Sequence, residues 1–273
     1  MSTRAYWTDS WNPVTGCTPC SPGCDHCYAR AMADSRLRGK FGYPEERPFQ
    51  PGVVHPEKFA LPLTWRKPRL VFVGNMGDLF HEQVAFPVIQ QVFRTMRACH
   101  LAGLGHIFLL LTKRPARMLE FFERAAEQDF LAPNYWTGVT AENDRLMQER
   151  MPYLLQCPGP HWLSYEPALG PLDSLHLYLG DRLAVDGRLT DGLSWVAAGG
   201  ENGRQARLSL AYDFNMAALD CALAGVPWFF KGAGSACQPS VTNEHARLDA
   251  ETMRQHMPVA FDQWANVLCE GAR

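Results

Sequence analysis

Six short apolar runs recur along the chain, at 70–73, 107–111, 136–139, 161–164, 195–198 and 226–230, and polar or glycine-containing residues follow each of them. Continuous apolar runs of this length are what a parallel sheet buried on both faces requires. The segments between them carry helical periodicity at 87–100, 116–128, 143–155 and 212–224. Strand–helix alternation of this kind predicts right-handed βαβ units. A further strand within residues 5–12 brings the total to about seven. The predicted fold class is therefore α/β, a (β/α) barrel that is partial or seven-stranded, with an open doubly wound sheet as the structural alternative. A helix is expected at 28–38 and a long surface-wrapping connection at 39–68. The 181–191 segment reads as an insertion or hairpin.

The residues that follow the runs sharpen this picture: Asn75 and Asp78, Thr112 with Lys113 and Arg114, Glu142 and Asn143, Glu166, Gly199-Gly200-Glu201, and Lys231. In α/β barrels the active site is built from the C-terminal ends of the strands, so these side chains are expected to converge on one mouth. Each also has a local explanation. Asp78 suits a cap or turn, Gly199-Gly200 a tight turn, Lys113 and Arg114 a solvated loop, and Glu166 before Pro167 a strand end.

Composition adds bounds. A chain of 273 residues with 47% hydrophobic and 20% charged residues has enough material for one barrel domain spanning 1–273, with a C-terminal extension from about 235. The net charge of −2 exerts no strong pull toward nucleic acid. No run is long enough to span a bilayer and the N-terminus lacks a secretory pattern, so the expectation is a soluble cytoplasmic protein with no membrane partner. Trp7, Trp11, Trp65 and Arg66 are candidates for stacking on bases, or for packing a surface loop.

Nine cysteines are present, and four of them, Cys17, Cys20, Cys24 and Cys27, fall within eleven residues on a Pro/Gly-rich stretch. Thiols this close on a turn can converge on one soft metal. Three readings compete: a closed structural zinc site recruiting His26 or all four thiols, a disulfide, and an iron–sulfur cluster held by three cysteines with one iron open. The scattered Cys99, Cys157, Cys221, Cys237 and Cys269 form no second cluster. Most of these are expected to be buried small hydrophobes.

An ordered set of motifs joins these features: Trp11-Asn-Pro-Val-Thr-Gly-Cys17, Cys24, Cys27-Tyr-Ala29, Phe49-Gln-Pro, Val73-Gly-Asn-Met-Gly-Asp-Leu-Phe80, Leu110-Leu-Thr-Lys-Arg-Pro115, Gly138-Val-Thr-Ala-Glu-Asn143, Glu166-Pro and Gly199-Gly-Glu201. Together they resemble the phage-associated three-cysteine-motif family, related to radical S-adenosylmethionine (SAM) enzymes. The resemblance spans residues from about 7 to 231. It implies a radical SAM-like barrel and an enzyme that cleaves SAM to a 5′-deoxyadenosyl radical with a [4Fe–4S] cluster. The C-x6-C-x2-C spacing of that family falls on Cys17, Cys24 and Cys27. Cys20, Cys24 and Cys27 also spell the C-x3-C-x2-C of radical SAM enzymes at large.

The resemblance further implies that Asn75 and Asp78 meet the SAM amino group and that Thr112 and Lys113 meet its carboxylate or ribose. Glu142, Asn143, Glu166 and Glu201 fall to ribose or substrate. The implied partners are a nucleotide or nucleic-acid substrate and an electron donor such as flavodoxin or ferredoxin. Lys231-Gly-Ala-Gly234 departs from the Lys-Gln-Trp-Gly of the family. The rival reading is a non-enzymatic metal-binding module that acts with a partner protein.

Overall fold

A computed structural model describes residues 5–125, 131–180, 183–185, 188–238 and 255–258. Its main sheet has seven strands: β1 (Asp9–Trp11), β2 (Leu70–Val73), β3 (Ile107–Thr112), β4 (Tyr135–Thr140), β5 (His161–Tyr165), β6 (Leu193–Gly199) and β7 (Trp228–Gly232). They lie side by side in chain order. The β1–β2, β2–β3, β5–β6 and β6–β7 pairs are parallel. Parallel neighbours need crossover connections, and the apolar stripes of the helices supply them. Following β1 is α1 (Tyr28–Met32); α2 (Phe86–Leu101), α3 (Pro115–Ala125) and α4 (Asp144–Leu154) follow the next three strands, and α5 (Ala211–Leu223) joins β6 to β7. This order is consistent with a partial (β/α) barrel.

Local chemistry accounts for the departures from the expected elements. The last strand begins at Trp228 rather than at 226, because Pro227 has no N–H to give the ladder and offers only its carbonyl, to Val196. Helix α1 ends at Met32 and continues as π-helical turns over Ala33–Leu37. Ala29 and Ala33 pack there against Tyr43 and Met76. The long connection holds a two-residue strand, Val53–Val54, antiparallel to Val14–Thr15. The expected hairpin is present, with Leu183–Val185 antiparallel to Arg188–Thr190. The last residues of the expected third helix, 126–128, and most of the extension after 235 lie outside the described residues.

Two compact units make up the chain, one holding Trp7–Thr137 and the other holding Tyr6 and the described residues from Gly138 onward. In the first, Phe93 of α2 meets Phe121 and Phe122 of α3 and Tyr135 of β4, with ring centroids 5.0, 5.5 and 5.2 Å apart. Tilted and edge-on pairs at this distance add about 0.5–1.5 kcal/mol each beyond the area they bury. In the second, Trp162 of β5 stacks on Trp195 of β6 at 5.3 Å, with Tyr6 edge-on to both.

The tryptophans near the N-terminus serve the core. Trp11 is fully buried and donates from Nε1 to the Lys58 carbonyl at 2.7 Å. It is not available to stack on a base. Trp7 packs on Phe72, and Trp65 lies between Arg69 and His106. Cys99, Cys157 and Cys221 are buried as expected, Cys237 is half-buried, and Cys269 lies outside the described residues. No helix among the described residues is long and apolar enough to cross a membrane.

Candidate functional site

The cysteine loop leaves the C-terminal end of β1 and is sewn to the loop that leaves β2. Asn12, one residue past β1, donates to Asn75 Oδ1 at 2.7 Å and accepts from the Met76 N–H at 2.9 Å. Gly16 N–H donates to the Met76 carbonyl, and Gly16 bridges Gly77 in parallel fashion. A side chain on Gly77 would prevent this approach, since its Cβ would stand 2.8 Å from the Gly16 carbonyl oxygen, while one on Gly16 would overlap the Gln50 carbonyl on another side. Glycine at 77 lets the two loops touch, and glycine at 16 lets the Gln50 backbone approach. Farther along the loop, the Tyr28 hydroxyl donates to the Asn75 carbonyl at 2.6 Å.

Asp78 is the hub of this arrangement. Its side chain is 7% exposed, and its carboxylate accepts from Phe80 N–H (3.0 Å), the Thr112 hydroxyl (2.8 and 3.0 Å), Lys113 N–H (3.3 Å) and Arg114 Nη1 (3.3 Å). Four donors occupy the acceptor capacity of one carboxylate. Asp78 therefore organises the strand ends, and a ligand ammonium, expected there from the sequence, would compete with these four donors. Thr112 belongs to the same hub.

Arg114 extends the hub to the thiols. Its side chain is 8% exposed. Nη1 lies 3.3 Å from Cys17 Sγ, Nη2 donates to the Thr18 carbonyl and hydroxyl at 2.9 and 3.0 Å, and Nε faces Glu82 at 3.1 Å. Burial works against the guanidinium charge, but the anionic groups around it, Asp78 first, outweigh burial and hold its pKa above the usual value. A second anchor is His81. Its Nδ1 accepts from Gln83 N–H, so the neutral ring carries its proton on Nε2 and donates to the Thr18 hydroxyl at 2.8 Å. Burial and the neighbouring Arg114 keep that ring neutral.

The thiols differ in character. A hydrogen bond from Cys20, partly opposed by burial and aided by Lys113, whose Nζ is 3.9 Å from Cys24 Sγ, lowers Cys24 to about 4. Burial and the charge of Asp78 push Cys17 up to about 11 against the pull of Arg114. Cys27 precedes α1, and its side chain packs against the cluster of Ala29, Ala33, Tyr43 and Met76. None of the eight described cysteines is in a disulfide.

The candidates of the other unit have separate partners. Glu142 is fully buried and pairs with Arg150 at 2.9 Å, while the same guanidinium donates to the Thr140 carbonyl at 2.6 Å. Asn143 caps α4, accepting from Leu146 N–H at 3.1 Å. Glu201 takes a fork of bonds from Arg207, with Nη2 at 2.6 Å and Nε at 3.1 Å. Glu166, the most exposed of the three carboxylates, pairs with Lys231 at 3.0 Å and accepts from Ser164 at 3.2 Å. Gly200 serves a close approach: a Cβ there would sit 2.0 Å from the Ala233 carbonyl oxygen.

A family model described as "Protein of unknown function (DUF5131)" matches residues 2–259. The chain belongs to this family. No curated protein and no solved structure matches it.

In this DUF5131 chain, Arg114 was expected at the mouth among the strand-end residues, with loop solvation as its local alternative, and no role was expected of Asn12, Thr18 and His81. Arg114 and Asn12 carried a signal, their places just after strand ends, and Thr18 and His81 carried none. Among the described residues no group of three or more His, Cys, Asp or Glu side chains is gathered closely enough to hold a metal ion. The donor set nevertheless suits a soft metal: thiols outside any disulfide on a short loop, one of low pKa, with a guanidinium and an ammonium beside two of the sulfurs. The fit lies in donor chemistry, and convergence is left to the metal, as it is for many sites that form on binding.

Proposed function

We propose that this chain is a radical SAM-type enzyme whose Cys17, Cys24 and Cys27 hold a [4Fe–4S] cluster. The reading rests above all on the cysteine loop being pinned, through Arg114 and Asp78, to the ends of β2 and β3. When bound, such a cluster supplies one electron to the sulfonium of SAM, splitting it into methionine and a 5′-deoxyadenosyl radical. Cys24 is already inclined to the thiolate that ligation requires, whereas Cys17 must give up a proton. Arg114 and Lys113 place positive charge beside Cys17 and Cys24, offsetting the accumulated thiolate charge. Lys113 also offers an ammonium to the carboxylate of SAM, and Asn75 is oriented by Asn12 and Tyr28. An external electron donor of the flavodoxin or ferredoxin kind completes the cycle.

The hydrogen bond between Cys20 and Cys24 favours a second ligand set, Cys20, Cys24 and Cys27. Anaerobic reconstitution of single Cys→Ala variants separates the two sets. Cys24→Ala and Cys27→Ala lose the cluster on either reading, since a three-thiolate cluster has no spare ligand. Retention of iron in Cys20→Ala with loss in Cys17→Ala selects the first set, and the reverse selects the second. The wild-type protein should bind about four irons, turn brown and form 5′-deoxyadenosine slowly when reduced with SAM. A colourless protein holding zinc and no SAM would replace the enzyme with a metal-binding module that acts through a partner protein.

A further inference from the structure

Helix α5 is apolar on both of its faces. Ala211, Phe214, Ala217, Ala218 and Cys221 are buried. On the other side Tyr212, Met216, Leu219 and Leu223 are 46%, 41%, 47% and 79% exposed. The only charged residues of the helix are Asp213, which is buried, and Asp220. A helix that is hydrophobic all round is normally covered all round.

The exposed residues follow one another at intervals of four, three and four, the spacing of a knobs-into-holes seam between helices. That spacing is palindromic. Read in the opposite direction it is again four, three, four, so an antiparallel copy of α5 meets the seam in register, about a two-fold axis between Met216 and Leu219. Tyr212 then lies opposite Leu223 of the other copy, and each contact occurs twice, as an isologous interface demands. Leu210, just before the helix, and Leu177, on a turn that packs against α5, are exposed as well. These six side chains present apolar surface on the order of 500 Å2, at the upper end for patches on monomers. Two copies would together bury on the order of 1,000 Å2 in apolar contact, about the least that a specific interface needs.

We infer that the protein forms a two-fold dimer through α5, with Tyr212, Met216, Leu219 and Leu223 as the antiparallel seam. The inference is independent of the chemistry of the cysteine loop. Sedimentation velocity on the full chain tests it: the wild type should sediment as a dimer at micromolar concentration, and the Met216→Glu, Leu219→Glu double variant as a monomer with an unchanged melting temperature. Leu101→Glu, at a still more exposed leucine on α2, should leave the dimer intact. If the glutamate pair fails to fold, Met216→Ala with Leu219→Ala should still weaken the dimer at least ~10-fold, as expected for residues at the centre of an interface. A wild type that stays monomeric, or a dimer that tolerates both pairs of substitutions, overturns the proposal.

Discussion

Both units of this chain place polar residues at the ends of their strands, and use them in opposite ways. In the Trp7–Thr137 unit, Asp78, Thr112 and Arg114 form one connected network that reaches Cys17 and Thr18. In the other unit, Glu142, Asn143 and Glu201 are each consumed by a neighbour: an ion pair with Arg150, a helix cap and a fork from Arg207. A polar residue after a buried strand is thus weak evidence of a ligand. Convergence of several such residues on a thiol is stronger evidence, because structural pairing of charges has no need of a half-buried cysteine.

The sharpest break of this contrast is Glu142→Ala. It would leave Arg150 buried with its main carboxylate gone, and the expected cost is about 3–5 kcal/mol in urea denaturation. A loss under about 1 kcal/mol would mean that the pair is not structural and would return Glu142 to the list of ligand residues.

Next comes Asp78→Ala. Four donors lose their acceptor, so stability should fall by about 1–3 kcal/mol and the Cys17 thiol should react faster with iodoacetamide as Arg114 and its loop loosen. Weakened SAM binding in cluster-loaded protein, at unchanged stability and thiol reactivity, would instead make Asp78 the reader of the SAM amino group.

Asn143→Ala should cost about 1 kcal/mol through loss of the α4 cap, and Asn143→Asp should restore most of it. Cluster loading and SAM binding should be unaffected by either change.

The smallest effect concerns pH. Burial first, and then the charge of Asp173, raises the pKa of Asp213 at the start of α5. The folded state therefore favours the protonated form. Its contribution to stability is complete below the unfolded carboxylate pKa of about 4 and is lost as pH rises through the higher folded value. At neutral pH Asp213→Asn should raise the melting temperature slightly, and the gain should vanish in acid. A gain that persists at pH 3 would point to packing rather than ionisation.

The apolar runs alone placed the strands and helices to within a few residues, because a strand buried on both faces leaves an uninterrupted hydrophobic signature that needs no knowledge of its neighbours. The cysteine loop was equally legible, since four thiols within eleven residues are close through the chain itself. The partners of the strand-end side chains were not. Asp78 and Thr112 are separated by 34 positions and Arg114 and Cys17 by 97, and no local pattern records which of many polar residues will be brought within 3.5 Å of which. Glu142 and Asp78 look alike in sequence, each a carboxylate after an apolar run. Only the tertiary structure gave one a buried arginine and the other a hub beside the thiols, because hydrogen bonds and ion pairs act at contact distance and contact across the chain is created by folding.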